Sequence, residues 1–252
     1  MIDVHAHFAE EGYTFPDEWN QIQEAGVTRV ILAGDTLEHT KIHRDFCIEH
    51  EGAFFTAGVH PSVTGDFSKG TVEELRALAQ DKKCVAIGEI GLDYHYEDTD
   101  KPKQRAAFEA QLALAFEEGL PVQIHSRDAC ADTLAILRNA EKQLKNGLLL
   151  HCYSYGRENI EAFLRLGAYL SFGGVACFKN AKKVWESVEA CPLDRLLSET
   201  DSPYLSPLRG EKNSPKNIPV IVERLAQLKG LDQTALAARI EENAERLFVR
   251  LK

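Results

Sequence analysis

The chain has 252 residues, a formal net charge of −10, 44% hydrophobic residues and 27% charged residues. This composition is ordinary for a globular protein and excludes collagen-like, coiled-coil and largely disordered chains. The acidic charge also argues against a protein that grips nucleic acid over a broad basic face, although a small anion site built around bound cations would escape this count.

Six cysteines are scattered along the chain without a CxxC pair or a zinc-ribbon spacing, which predicts reduced thiols. The first residues lack the basic and apolar regions of a signal peptide. No apolar run approaches the roughly 18 residues that a membrane span needs. We therefore expect a cytoplasmic protein without membrane contact.

Short apolar runs alternate with amphipathic stretches along the whole chain, which is the pattern of repeated strand-helix units. Eight runs are predicted to be strands: Ile2–Val4, Val27–Leu32, Ala53–Ala57, Val85–Ile87, Pro121–Ile124, Leu148–Leu150, Ala168–Ser171 and Leu196–Leu197. Eight units of about thirty residues predict a (β/α)₈ TIM barrel of the α/β class, although a doubly wound open sheet would give a similar pattern.

Helical periodicity fills the segments between the strands. Helices are predicted to begin at Thr71 and to span Gln104–Glu118, Ile218–Leu228 and Asp232–Leu247. The last two follow a polar loop, Ser206 to Lys216, and are interpreted as the final barrel helix and an additional C-terminal helix. No linker or repeat divides the chain, so residues 1–252 are predicted to form a single domain.

Side chains able to bind metals follow five of the predicted strands. In a parallel barrel all the carboxyl ends of the strands open on one face, so these side chains are expected to meet at one mouth. Four imidazoles and two carboxylates suit zinc, manganese or cobalt, whereas magnesium alone would favour oxygen ligands. The six candidates are His5, His7, Glu89, His125, His151 and Asp201.

Four of these candidates also have a simpler explanation. His5 and His7 lie two apart on a strand and can approach one ion, but such a pair by itself is more often structural. Glu89 could bridge two ions, or be a solvated loop acid. Asp201 could bind an ion and accept a proton from water, or cap a helix. Only the agreement of five strand ends favours the metal interpretation.

Several further side chains are candidates for contact with the substrate or the metal ligands. His60 ends the third strand and could donate a hydrogen bond to substrate. Arg127 could clamp a phosphate or form a salt bridge with Asp128 or another acid. Asp93 could support a ligand or be a surface acid, and His95 could equally be a surface residue. The histidines of the polar second helix are expected to be solvated: His39, His43 and His50.

Six ordered motifs, which cover essentially the whole chain, resemble the TatD family of metal-dependent deoxyribonucleases. They are Asp3-Val4-His5-Ala6-His7, Gly58-Val59-His60-Pro61, Gly88-Glu89-Ile90-Gly91-Leu92-Asp93-Tyr94, Ile124-His125-Ser126-Arg127, His151-Cys152-Tyr153-Ser154 and Glu199-Thr200-Asp201-Ser202-Pro203-Tyr204-Leu205. The resemblance implies a TIM barrel that binds two divalent ions, Mg²⁺, Mn²⁺ or Zn²⁺. One ion would be held by His5, His7, Glu89 and Asp201, and the other by Glu89, His125 and His151.

The same resemblance implies hydrolysis of phosphodiesters in DNA, commonly from the 3′ end, with Asp201 and Glu89 as catalytic residues. Water activated by the two ions would lose its proton to Asp201. Arg127, Lys179 and Arg209 offer positive groups for the DNA substrate near the mouth. The chain departs from the family where Tyr153 and Tyr155 replace the usual Phe and Gly, which bears on substrate preference rather than on the chemistry.

Other functions would use the same residues. A D-aminoacyl-tRNA deacylase, a small-molecule amidohydrolase or a phosphoesterase could have an identical metal site, and the acidic charge favours a small substrate. A non-catalytic barrel that binds a partner would have no reason to keep all six ligands. We expect a monomer, because no long exposed apolar stripe is predicted.

Overall fold

A computed structural model of the chain describes residues 1–8 and 15–251. Its strands are β1 (Ile2–Ala6), β2 (Arg29–Leu32), β3 (Ala53–Ala57), β4 (Cys84–Asp93), β5 (Val122–Arg127), β6 (Leu148–Leu150), β7 (Ala168–Phe172) and β8 (Leu196–Ser198). They pair in parallel in chain order. Across the seam between β8 and β1, the Asp201 amide donates to the His5 carbonyl at 2.9 Å and the His7 amide to the Ser202 carbonyl at 2.8 Å. The predicted TIM barrel is confirmed.

Helices alternate with the strands and cover the outside of the sheet. They are α1 (Phe15–Glu24), α2 (Leu37–Glu49), α3 (Lys69–Ala79), α4 (Lys101–Glu118), α5 (Cys130–Asn139), α6 (Arg157–Leu164), α7 (Lys182–Ala190), α8 (Ile218–Lys229) and α9 (Gln233–Leu247). The additional C-terminal helix α9 packs on β8, where the Asn243 amide donates to the Leu196 carbonyl at 2.9 Å. In the described part of the chain, no helix combines the length and apolarity that crossing a membrane requires.

The helix predicted to begin at Thr71 begins two residues earlier. Ser68 is its N-cap, and the Ser68 hydroxyl accepts from the Thr71 amide at 3.5 Å. The Thr71 hydroxyl in turn accepts from the Ser68 amide at 3.1 Å. Thr71 is thus the third residue of a reciprocal capping box, and the predicted start was wrong because Thr71 itself was taken for the cap.

Strand β4 is much longer than the predicted Val85–Ile87, since it runs from Cys84 to Asp93 and is buried throughout. Glu89 therefore lies inside the strand and not beyond its end. The pairing of β4 with β5 shifts in register between Ile87 and Ile90, on either side of this residue. Sequence patterning missed the second half of β4 because glycines and acids are depleted in strands. A local irregularity of this kind re-aims a side chain.

The expectation of solvated histidines in the second helix is wrong for His43, whereas His39 and the C-cap residue His50 are partly exposed. His43 is buried with no hydrogen-bond partner for either ring nitrogen among the described residues, and burial holds its pKa well below the usual value. His39 Nδ1 lies 2.8 Å from Asp35 Oδ1, and the His50 ring stacks on Phe46 at 3.9 Å. The buried face of α2 contains polar side chains, which hide its helical periodicity in the sequence.

Gly91 provides a test of how tightly β4 and β5 pack. Its φ of +142° is unfavourable for other residues, and a β-carbon there would overlap the His125 carbonyl oxygen. Gly119, which ends α4 at φ +68°, has open space around the same position. We expect Gly119→Ala to lower the free energy of unfolding by about 1 to 2 kcal/mol. Gly91→Ala should lower it by about 1 to 3 kcal/mol more than Gly119→Ala does, because of overpacking. Urea unfolding midpoints measure both, and equal losses would contradict the close approach.

Candidate metal centre

The six predicted metal ligands meet at the carboxyl ends of the strands. Four of them are buried, and His125 and Asp201 are partly exposed toward the mouth. Their positions in the fold are as follows: His5 in β1 with His7 just beyond it, Glu89 in β4, His125 in β5, His151 directly after β6 and Asp201 after β8.

The four histidines form two pairs of facing nitrogens. His5 Nε2 lies 3.2 Å from His7 Nε2, and His125 Nδ1 lies 3.1 Å from His151 Nε2. Two nitrogens that bind one ion at 2.0–2.1 Å stand about 3.3 Å apart at a tetrahedral angle. The spacing within each pair therefore fits two ligands of a single ion.

The Glu89 carboxylate lies between the two pairs. Its Oε1 is 2.7 Å from His125 Nδ1 and 2.8 Å from His151 Nε2. Its Oε2 is 3.4 Å from His5 Nε2 and 3.5 Å from His7 Nε2, and no hydrogen bond from the described residues reaches this buried oxygen. A buried carboxylate oxygen without a donor is costly, and a cation would satisfy it. Each oxygen thus faces one of two candidate cation positions.

Asp201 adds a second carboxylate to the first histidine pair. Its Oδ1 lies 3.5 Å from His5 Nε2 and 3.5 Å from His7 Nε2. Burial alone raises the pKa of Asp201, but the hydrogen bond with His7 and the neighbouring imidazoles outweigh burial and lower it. For Glu89 burial also raises the pKa, and the surrounding histidines hold it well below the usual value. Both acids are ionised, as a divalent cation requires.

A glutamine orients the His5 ring. Gln123 Oε1 lies 2.9 Å from His5 Nδ1, and the Gln123 amide nitrogen donates to the Val4 carbonyl at 2.7 Å. The second bond fixes which end of the amide faces the ring, so Nδ1 is the donor and Nε2 keeps its lone pair for the site. Sequence reasoning missed Gln123, although a buried polar residue within an apolar strand run is a usable signal.

Two acids occupy the same position relative to the second histidine pair. Asp93 Oδ2 lies 3.2 Å from His125 Nε2, within hydrogen-bond distance, whereas Glu199 Oε1 lies 3.7 Å from His151 Nδ1 and makes an ion-pair contact without a hydrogen bond. Both acids are buried, so Asp93 is a partner of the predicted ligand His125 and not a surface acid. A carboxylate on the far nitrogen of a metal-binding histidine fixes its orientation and raises its basicity. Sequence analysis left the role of Asp93 open and assigned none to Glu199.

Asp3 ties β1 to the segment that carries Asp201. Its carboxylate accepts from the Thr200 amide at 2.9 Å, the Thr200 hydroxyl at 2.5 Å and the His5 amide at 3.2 Å. Burial raises the pKa of Asp3 to about 8, against the opposing effect of these bonds. Asn213 donates to the Thr200 carbonyl at 2.7 Å from the following loop. These bonds hold Asp201, whose φ is +56°, in a conformation that few residues adopt.

Two of the predicted substrate-binding residues lie at the centre. His60 Nε2 is 3.6 Å from Glu89 Oε1, and burial lowers the pKa of His60 to about 3, so its ring is neutral. Arg127 is half-exposed, and its Nη1 lies 3.9 Å from Asp93 Oδ2. The salt-bridge alternative is therefore also present, with Asp93 as the acid and not Asp128.

The other two predicted substrate-binding residues are farther out. Lys179 and Arg209 are exposed, in the loops after β7 and β8, and therefore lie on the same side of the barrel as the centre. No hydrogen bond or ion pair between described residues joins either of them to the metal-ligand cluster. Asp128, which does not pair with Arg127, accepts a hydrogen bond from His95 Nδ1 at 3.0 Å. This bond joins the loop after β4 to the loop after β5.

Comparison with known proteins shows which family this chain is similar to. The model of the family described as TatD related DNase matches residues 2–249. The uncharacterized metal-dependent hydrolase YcfH of Escherichia coli K12 is 43% identical, over 98% of this chain and 95% of YcfH. The 3′-5′ ssDNA/RNA exonuclease TatD of Erwinia tasmaniensis is 37% identical over 90% of each chain. The crystal structure of the TatD homolog YJJV from E. coli K12 matches with a TM-score of 0.92 at 27% identity, covering 99% of this chain and 98% of YJJV.

Proposed function

The chain belongs to the family of TatD-related DNases and is a metal-dependent hydrolase, and from this premise we propose that it removes nucleotides from the 3′ ends of single-stranded DNA. The observation that carries the proposal is the Glu89 carboxylate, which has one oxygen toward each of two histidine pairs. Two-metal sites of this type serve phosphodiester hydrolysis. The name of the Erwinia relative supports the direction of cleavage and the single-stranded substrate.

We propose two cation sites that share Glu89. The nitrogen spacing of each histidine pair and the unpartnered Glu89 Oε2 support this assignment. Mixed nitrogen and oxygen donors accept Zn²⁺ or Mn²⁺ readily, and Mg²⁺ remains a candidate. When bound, the two ions would stabilise negative charge on the phosphoryl group and lower the pKa of a water molecule. The first site comprises His5, His7, Glu89 and Asp201, and the second Glu89, His125 and His151.

The side chains around the ions would then have separate roles in proton transfer and in binding of the substrate. Asp201 is ionised and would accept the proton that the attacking water loses. The Ser62 amide donates to His60 Nδ1 at 3.1 Å, so His60 Nε2 carries the hydrogen and could donate to a phosphoryl oxygen. Arg127 would pair with the same phosphate through its exposed guanidinium. Lys179 and Arg209, at the outer mouth, would attract the more distant phosphates.

One chain supplies all six proposed metal ligands. We therefore propose that residues 1–252 act as a single hydrolase domain in a monomer. No second subunit is needed to complete the site.

Metal removal tests the proposed function. We expect chelator-treated protein to lose cleavage of a 5′-labelled single-stranded oligonucleotide, and Mg²⁺, Mn²⁺ or Zn²⁺ to restore it, because the two ions supply the main charge stabilisation. The products should form a ladder that shortens from the 3′ end. Single-stranded circular DNA of the same sequence serves as the matched control and should remain intact, since it has no 3′ end.

Three outcomes would contradict parts of the proposal. Full activity after metal removal would overturn the metal dependence, and cleavage of the circle would show an endonuclease. No cleavage with any ion, despite tight metal binding, would overturn the nuclease assignment and leave small esters or aminoacyl-tRNA as substrates of the same centre. An RNA oligonucleotide of the same sequence, assayed in parallel, measures the preference for the sugar.

A further inference from the structure

A cleft beside the metal centre is used by none of the roles assigned above. It encloses about 270 Å³ between the 3₁₀ turn Pro61–Asp66, which follows β3, and the loop that joins β4 to α4. Ser62 and Thr64 line one wall, and Asp93, Tyr96 and Lys103 line the other. A water molecule occupies about 30 Å³ of liquid, so the cleft is large enough for a planar ring system.

Two walls of the cleft contact side chains of the metal centre. Ser62 Oγ lies 2.7 Å from His60 Nδ1, and His60 Nε2 lies 3.6 Å from Glu89 Oε1. On the other wall, Asp93 Oδ2 lies 3.2 Å from His125 Nε2. A substrate whose phosphate sits at the centre would therefore have its neighbouring group within reach of the cleft.

Tyr96 presents an aromatic ring at the opening of the cleft. Tyr96 is 59% exposed, so its ring is accessible from solvent. The guanidinium carbon of Arg127 lies 5.8 Å from the centre of the Tyr96 ring, and Arg127 also reaches Asp93 at the metal centre. An exposed ring beside a cation is the arrangement on which nucleobases stack in proteins that bind single strands.

The charge of the cleft selects its occupant. Three carboxylates line it, from Asp93, Asp98 and Asp100, against one ammonium from Lys103. Lys103 Nζ lies 3.8 Å from Asp100 Oδ2, so its charge is already partly compensated. A phosphate would be repelled, whereas the exocyclic amino groups of a base are donors that carboxylates accept. The observations favour an uncharged ring that carries an N–H donor, as every base does, over an anion.

We propose that this cleft is a nucleobase subsite, in which Tyr96 stacks on the base of a nucleotide next to the scissile phosphate. The proposal rests on the proposed nuclease function. Arg127 lies between the Tyr96 ring and the metal centre, so it would hold the phosphate that connects the two. The subsite would orient the end of the strand without reading a particular sequence, since every base has a stacking face.

A comparison of variants and substrates tests the subsite. We expect Tyr96→Ala to raise KM for the oligonucleotide about 5- to 150-fold with little change in kcat, because stacking stabilises the bound substrate and the transition state equally. Tyr96→Phe keeps the ring and should behave like the unchanged protein. Oligonucleotides with a tetrahydrofuran in place of the terminal or the penultimate nucleoside remove one base each. The increase in KM caused by Tyr96→Ala should vanish for whichever of these two oligonucleotides lacks the base that stacks on Tyr96.

Equal effects of Tyr96→Ala on intact and both abasic oligonucleotides would overturn the subsite, and so would a comparable loss in Tyr96→Phe. If the unchanged protein cleaves no oligonucleotide, the proposed nuclease function fails, and equilibrium binding decides the subsite separately. In that measurement dAMP should bind about 5- to 150-fold more tightly than deoxyribose 5-phosphate, and Tyr96→Ala should abolish the difference. Equal affinities in the unchanged protein would overturn the subsite.

Discussion

Replacing Asp201 with asparagine should lower kcat about 10²- to 10⁴-fold, the range that a positioned general base contributes. The substitution keeps the size of the side chain and the backbone bond from the Asp201 amide to the His5 carbonyl. It removes the negative charge that lies 3.5 Å from both His5 Nε2 and His7 Nε2. It also removes the group that is proposed to accept the proton of water. Steady-state kinetics at saturating metal would measure the loss.

Asp45→Asn is a matched control for this experiment, because Asp45 is exposed on α2 and pairs with the adjacent Arg44. It should leave kcat unchanged. Metal content, measured on the same samples, separates the two proposed roles of Asp201. A fall in kcat with full metal occupancy identifies the proton acceptor, whereas recovery of kcat at high metal concentration would identify a ligand only. A variant that keeps most of its kcat at ordinary metal concentration would exclude both roles.

Replacing Glu89 with glutamine should remove metal from both sites at once. Each carboxylate oxygen faces a different histidine pair, and a neutral amide offers one acceptor oxygen in place of two charged ones. Loss of a residue that merely supports a ligand costs 10- to 100-fold in metal affinity, so loss of a shared ligand should cost at least about 100-fold at each site. Elemental analysis after dialysis against a weak chelator would report both losses.

Asp93→Asn provides the contrasting case, because Asp93 contacts the metal ligands through His125 alone. It should weaken only the second site, about 10- to 100-fold. Glu24→Gln, at the exposed end of α1, is the neutral control. If Glu89→Gln depleted one site and left the other intact, Glu89 would be a ligand of one ion and the shared position would be wrong.

The placement of Glu89 depends on the irregular pairing of β4 with β5. The register shifts between Ile87 and Ile90, and Gly91 lies so close to His125 that it leaves no room for a side chain. The two neighbouring strands thus bring one proposed ligand from each into contact, at 2.7 Å between Glu89 Oε1 and His125 Nδ1. Local close approach of backbones, which only glycine permits here, shapes this part of the centre.

The barrel itself was predictable from the sequence because its signal is repeated and local. Alternating apolar runs and amphipathic segments recur eight times, and the parallel topology then requires every strand to end on the same face. This rule alone is enough to bring His5, His7, His125, His151 and Asp201 together, although they are distant in sequence. Binding of metal by these residues remains a prediction that the experiments above address.

Features that depend on contacts between distant residues were not accessible from the sequence. His43 was expected in water because its neighbours on α2 are polar, whereas burial is decided by the side chains that pack on it. Lys179 and Arg209 were grouped with Arg127 by charge, but only Arg127 contacts a residue of the centre. Charge can be counted along a chain, while the distance between charges is a property of the folded loops.

The sequence by itself determined the class of fold and the face on which the chemistry lies, because the barrel topology places the carboxyl ends of all its strands together. It also named the six side chains proposed to bind metal, although Glu89 lies inside β4 and not at a strand end. Only the tertiary structure decided which ring nitrogens of His5 and His125 face the site, through Gln123 and Asp93. It also decided that a cleft with Tyr96 at its opening adjoins the centre. The physical reason is that hydrogen-bond orientation and cavity shape depend on distances between segments, which periodicity does not encode.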